Sequence, residues 1–412
     1  MDDNLKNKKY LIASGCSYGK TIAALTDNKF KRYLDIEDDV VMIDLGKASQ
    51  SSGYSADSII HCVNLLLSEG VDSKNIYVLN EWTEAERPHN VFPMSTSNEF
   101  EKYINSPNTK ISLKDSDSVV HTICSDNEKY PTLNGKHPVE IKLKNLLNKK
   151  SIVWNSGPET DFECAISLID DLFYMSARNC NAHDYDNTPF KHDVRIMQDR
   201  HQLISFEELI ISYLNNIIRL QNFLKLNKIK YKFNTIYSQF SNFELDKNVK
   251  KCLEPPYKIS KDKITFVIRK EHKEYRDSLT EKNDIVNVFP GCKSKFNEID
   301  LSNFWFYEKN NYRFGGIDEY AFDNFGDYGY FTTSDFPQDD YAQMMPGYCA
   351  HPEPVVYFLL SEELLEDCEF IKLKPKSRKQ ILRKIEEDLN SDVVVNGFVA
   401  SKKQRYVTRR LL

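Results

Sequence analysis

The sequence predicts an α/β fold, a three-layer sandwich in which helices cover both faces of a mostly parallel sheet. Three observations carry that expectation. Short apolar runs recur in the N-terminal quarter at 10–13, 40–45 and 75–79. Stretches with helical or turn patterning separate them. The same rhythm, helix then strand, resumes at 203–237 after a long polar interruption. Strands alternating with helices in this way join by right-handed crossovers into a sheet covered on its faces.

Taken in order, the first element is carried by KKYLIASGCSYGKTIAAL, residues 8–25. The apolar run at Tyr10–Ala13 breaks into small residues and then into a second run that can start a helix, the pattern of a strand, a tight turn and a helix. Gly15 and Gly19 flank Ser17, so the backbone there can bend sharply and let another group come close. Val40–Leu45 and Asn75–Leu79 read as buried strands. Between them Ser55–Leu67 reads as a helix with Ile59, Ile60, Val63 and Leu67 on one side. Residues 161–179 and 203–228 are amphipathic helix candidates; in the second, Leu209, Tyr213, Ile217 and Leu220 recur at helical spacing, and Lys230–Tyr237 follows as a strand. A flavodoxin-like strand order is expected. The core is assigned to 1–106, 201–244 and 301–365. Residues 107–200 form a loop-rich then helical insertion, 245–300 a small β insertion with a strand at Lys263–Arg269, and 366–412 a basic extension.

Composition limits the function classes. Of 412 residues, 41% are hydrophobic and 12% aromatic, enough for a substantial core, and the net charge of −6 gives no global attraction to nucleic acid or to an anionic membrane. Nine scattered cysteines without a CxxC pair read as reduced thiols. The polar start and the lack of a long apolar run argue against a signal peptide or a membrane span, so a cytoplasmic or virion location is expected.

The chemistry-bearing residues fit hydrolysis. Ser17, in GCSYG after a strand, is placed for nucleophilic attack with its own N–H available to an oxyanion. Gly53, in a loop before the Ser55 helix, can supply a second N–H. His351, followed by Pro352 at the start of a late helix, is the usual kind of base for a serine. Together with their order, these blocks resemble the SGNH, or GDSL-like, hydrolase family, particularly its divergent phage-encoded members. GCSYG is similar to the first block, GYSADSI to the second, VLNEWTEAER lies where the third belongs, and HPEP resembles the histidine block. NNIIRLQNFLKLNKIKYKF, NFWFYE and GGIDEY also look like that subgroup; the resemblance covers about half of the chain.

The resemblance implies a serine esterase or acetylesterase. Ser17 and His351 would be catalytic, and Ser17 and Gly53 would hold the oxyanion. The family's oxyanion asparagine falls near Thr83 or Glu84, with Asn80 as a rival. Where the family has its aspartate this chain has Tyr348 and Cys349. Asp339 or Asp340 can substitute, a Ser–His dyad can suffice, or the site is inactive. Trp82 and Arg87 are expected at the pocket, and the aromatic stretch 303–331 suggests a hydrophobic or sugar-binding wall, hence an O-acetylated glycan. No cofactor and no metal is implied.

Two other classes compete. The scaffold can serve as a structural or interaction protein, for example in a virion, with the missing aspartate as a symptom. Alternatively, Ser14–Thr21 is one residue away from the phosphate-binding GxxxxGK[ST] loop, in which Lys20 would contact phosphates and Thr21 a Mg²⁺ ion, with Val40–Asp44 as the metal-holding strand. His183, Asp184, Asp186, His192, Asp193, Asp199 and His201 invite a metal reading, but their spacing matches no standard site and a solvated loop is preferred. Cys16 is expected to be buried. The basic stretch Lys372–Lys384 carries an apolar stripe of Ile381, Leu382, Ile385 and Leu389, which packs on the parent domain or docks an acidic protein partner.

Overall fold

The computed structural model describes residues 6–16, 19, 21–27, 30, 32–37, 40–46, 50–83, 85, 89–93, 119–123, 152–155, 163–169, 172–178, 206–241, 280–309, 312–325, 352, 354–390, 394–395 and 398–399. In chain order the strands and main helices are β1 (Lys9–Ser14), α1 (Thr21–Thr26), β2 (Leu34–Ile36), β3 (Val40–Asp44), α2 (Ser52–Ser68), β4 (Ile76–Trp82), β5 (His89–Pro93), β6 (Val119–Ile123), β7 (Ile152–Asn155), β8 (Glu163–Ile169) and β9 (Leu172–Arg178). There follow α3 (Phe206–Leu226), β10 (Lys230–Thr235), α4 (Ile285–Val288), α5 (Lys293–Phe296), α6 (Ile317–Phe325), α7 (Pro354–Leu364), β11 (Ile371–Leu373), α8 (Ser377–Asn390), β12 (Val394–Val395) and β13 (Phe398–Val399). The fold is α/β. It divides into two compact units, the first comprising Met1–Ile22, Asp38–Phe233 and Phe289–Phe304, the second Ala23–Glu37, Asn234–Val288 and Trp305–Leu412.

In the first unit the main sheet has the order β10-β4-β1-β3-β6. β1 pairs in parallel with both β3 and β4, and β6 runs antiparallel on β3. Tyr10 to Ala13 and Val40 to Ile43 are buried at consecutive positions, the pattern of strands covered on both faces. α2 begins earlier than its apolar periodicity suggests, because the Ser51 side chain accepts the Tyr54 N–H and caps the helix. Gly53 therefore lies in the first helical turn, not in a preceding loop. α3 buries Leu209, Tyr213, Ile217 and Leu220, as its spacing predicts. It is tied to α2 by Asn216, whose amide donates to Ser52 Oγ at 3.1 Å, and by the Arg219–Asp57 ion pair.

A second sheet in this unit, β5-β9-β8-β7, is antiparallel. Here the helix expected over 161–179 is replaced by a hairpin. Its register pairs Glu163 with Arg178 through to Ile169 with Leu172. The stretch satisfies both periods, and the aromatic, strand-favouring LFYM segment decides for the strand. Residues 280–300, expected in a small β insertion, instead form short helical turns punctuated by Asp284, Pro290 and Gly291. Lys263–Arg269 lies outside the described residues.

In the second unit β2 and β11 form an antiparallel pair, and Ser377 at the start of α8 donates through Oγ to the Tyr33 carbonyl at 3.0 Å. Residues 371–381 of the basic extension are thus built into this unit, with Ile381 buried and Leu382 exposed. Trp305, Tyr307 and Tyr320 pack edge to face or tilted, and Trp305 Nε1 donates to Glu363 Oε2 at 2.6 Å. The expectation that 303–331 forms an open aromatic wall is corrected for these residues, which are core. Their rings gain more by packing on one another than they would in a solvated cleft. Among the described residues no helix is long and apolar enough to cross a membrane.

Candidate functional site

The sheet order defines a switch point. From β1 the chain goes outward to β3 and returns on the other side to β4, so the crevice expected of such sheets opens at the carboxyl ends of β1 and β4. There β1 ends in Ser14, and the chain continues through Gly15 and Cys16. Gly15 has φ +155°, and a Cβ on it would sit 3.1 Å from both Glu81 Cβ and Glu81 O. The same Cβ would stand 3.4 Å from Gly19 Cα. Gly19 donates its N–H to the Cys16 carbonyl at 3.0 Å. Only glycines allow this turn to close so tightly against β4.

Several polar side chains of β1, β4 and α2 and the residues beside them are buried. Ser14, Gln50, Ser51, Ser52, Ser55, Ser58, Asn80, Glu81 and Thr83 are all buried. Asn80 and Thr83 have no exposed surface. Among the described residues, Asn80 Nδ2 and Oδ1, Thr83 Oγ1 and Ser55 Oγ have no hydrogen-bond partner. Leaving such a group unpaired costs about 1–3 kcal/mol, so each of them calls for an explanation.

The faces of the sheet relate these groups. Ser14 and Asn80 are register partners in neighbouring strands, and partners point to the same face. Ser14 Oγ lies 3.1 Å from Ser58 Oγ of α2, so Asn80 belongs to the face covered by α2. Gly53 is in the first turn of that 17-residue helix. The Ser51 cap takes the Tyr54 N–H, and the Ser51 carbonyl takes that of Ser55. The N–H groups of Ser52 and Gly53 have no acceptor within the helix, and its dipole favours negative charge at this end.

Of the expected site residues, Gly53, Asn80 and Thr83 are placed at this end of the first unit. Trp82, expected at the pocket, has no exposed surface. Its ring stands edge-on to Tyr213 at 6.1 Å and to Phe233 at 5.4 Å, which makes it a core indole between β4, α3 and β10. Cys16 is buried, as expected. Thr21 opens α1, and Asp44 Oδ1, the carboxylate of the rival phosphate-loop reading, accepts the Gly46 N–H at 2.9 Å. Ser17, Lys20, Glu84, Arg87, Asp339, Asp340, Tyr348, Cys349, His351 and the His183–His201 cluster lie outside the described residues. Among those described, no group of histidine, cysteine and acidic side chains could hold a metal ion.

The sequence reading gave no role to Ser55 or Ser58 and saw Ser14 only in the phosphate-loop alternative, although the serines at 51, 52, 55 and 58, leading into a helix carrying Ile59, Cys62 and Val63, were a usable signal. Serines spaced three apart on the apolar side of a helix are buried with it. Comparison with protein-family models, with curated proteins and with solved structures found no match.

Proposed function

We propose that this chain is a serine ester hydrolase of the SGNH type, acting on a small acyl ester such as an acetyl ester. The observation that carries the reading is the fully buried Asn80 amide on the α2-covered face, without a partner among the described residues, at the switch point where Ser17 follows β1 in sequence. An ester hydrolase needs donors for the charge that develops on the carbonyl oxygen. The Asn80 Nδ2 group and the N–H groups of Gly53 and Ser17 are those donors in this reading. Asn80 is preferred to Thr83, because an amide always presents N–H donors whereas a hydroxyl can turn its single proton elsewhere.

Ser17 attacks the carbonyl, and its proton passes to His351, which returns it to the leaving alcohol; water then releases the acyl group by the same route. The assignment of His351 rests on its sequence block. In this reading the fold is a three-layer sandwich of flavodoxin-like strand order, β3-β1-β4-β10 being the 2-1-3-4 arrangement in sequence terms.

Labelling of the purified protein with a fluorophosphonate probe tests it, beside Ser17→Ala, His351→Ala and Asn80→Ala. The expected result is labelling of the wild type, none with Ser17→Ala, and a labelling rate at least about a hundredfold lower for Asn80→Ala, the effect of one lost oxyanion donor. A folded wild type that does not label overturns the esterase reading and leaves the interaction-protein alternative standing.

A further inference from the structure

The hydrogen bond between Ser14 and Ser58 joins two segments that the proposed chemistry needs to hold in fixed relation. Ser14 is the last residue of β1, three positions before Ser17. Ser58 is on α2, five positions after Gly53. Both side chains are buried, and their Oγ atoms are 3.1 Å apart.

The direction of the bond follows from proton counting. Ser58 Oγ donates to the Ser55 carbonyl at 3.0 Å and has a single proton. Ser14 is therefore the donor and Ser58 the acceptor. The chain of bonds runs from the end of β1 to Ser58, and from Ser58 to the backbone of the second turn of α2. On its far side the helix is gripped at Ser52 by Asn216 of α3. The first two turns of α2 are thus held between the strand that leads to the nucleophile and the helix behind.

We propose that Ser14 and Ser58 are positioning residues, coupling the end of β1 and the Gly15–Cys16 bend that follows it to the first turns of α2, so that the Gly53 N–H keeps a fixed register on that bend. The functional meaning rests on the esterase reading; the mechanical coupling does not. An apolar pair here would fill the same space. What the hydroxyls add is direction, since a Ser–Ser bond fixes the sliding of α2 along β1 to within hydrogen-bond reach, which dispersion contacts do not.

The test compares Ser14→Thr with Ser14→Val. These two side chains have the same shape and differ in the hydroxyl, so crowding affects both alike. Two readouts are taken on the full chain: hydrolysis of p-nitrophenyl acetate, and amide hydrogen exchange resolved to residues 15–19 and 51–58. The expected result for Ser14→Val is a roughly five- to tenfold fall in kcat with KM unchanged, the size of one lost buried hydrogen bond. Exchange should accelerate together in both segments, with protection in β3 and α3 unaltered. Ser14→Thr should restore both readouts, and Ser58→Ala should reproduce Ser14→Val without adding to it. If the wild type does not hydrolyse the ester, the esterase reading is in question and exchange alone judges the coupling. Exchange that rises in one segment only, or uniformly over the unit, overturns the proposal, as does equal behaviour of the Thr and Val variants.

Discussion

A buried primary amide has two donors and two acceptors to satisfy, and Asn80 satisfies none of them with the described residues. A structural asparagine would be paired; one kept for a passing charge need not be. Asn80→Leu, which keeps the branching at Cγ but replaces the polar atoms with bulkier methyl groups, should leave the thermal midpoint within about 5 °C of the wild type, the relief of the unpaired amide offsetting the crowding, while lowering kcat on p-nitrophenyl acetate by about 10²–10³. Thermal melts and steady-state kinetics on the same preparation check this. A midpoint lowered by more than about 5 °C would make Asn80 structural. The thiols give a second prediction at this scale. Burial pushes Cys62 up to about 12, and burial with the nearby Glu207 pushes Cys292 up to about 11. At pH 8 both are protonated and should resist iodoacetamide in the native protein, then react in urea; peptide mapping reads the difference. Prompt alkylation of either in native protein contradicts the burial. Asn80 was legible in the sequence only as one of several candidates in VLNEWTEAER, because a resemblance gives the block, while the register with Ser14 gives the face.

At the level of elements, α3 was the most legible. Its four apolar positions at helical spacing are all core, and the dipole-complementing Glu207 and Glu208 stand in its first turn. The sequence did not reveal what fastens its C-terminal end. Gln221 accepts the Asp300 N–H at 2.7 Å and donates to the Glu298 carbonyl at 3.0 Å, and Lys225 pairs with Asp300 at 2.7 Å. These partners lie some eighty positions away in the chain, where no local pattern links them. Hydrogen bonds from Lys225 and Ser302 hold the Asp300 carboxyl down to about 2, below its unfolded value of about 3.9. Its contribution to stability is complete above about pH 4 and is lost as the pH falls through about 2. Being partly exposed, it is worth less than about 1 kcal/mol. Urea midpoints of wild type and Asp300→Asn should therefore differ by a constant small amount between pH 5 and 7 and converge toward pH 2.5. A gap that persists there assigns the effect to the neutral hydrogen bonds instead.

For the whole molecule, the parallel sheet was legible because its strands are short apolar runs bounded by turn residues. The division into units was not, because both units are assembled from segments far apart in the chain. Periodicity describes a residue's neighbours at a distance of two to four, whereas β2 finds its partner β11 across more than three hundred residues. The basic extension shows the consequence. Its pattern left open whether it packs on the parent domain or docks an acidic partner; β11 completes the pair with Leu34–Ile36, the Lys374 N–H reaches the Tyr33 carbonyl at 2.8 Å, and Ser377 reaches the same carbonyl. Arg378 adds contacts to Glu362 and Glu363 of α7. A chain ending at residue 369 loses all of these and leaves β2 as an unpaired edge, the kind of edge that recruits other chains. A chain ending at 390 keeps them. The expected outcome is that 1–390 shows the full-length melting transition by circular dichroism and remains monodisperse, whereas 1–369 aggregates or melts over a broad, lower range. Equal melting of the two would mean that β11 and the start of α8 rest on the second unit without supporting it, and the extension would return to being a candidate partner-binding arm.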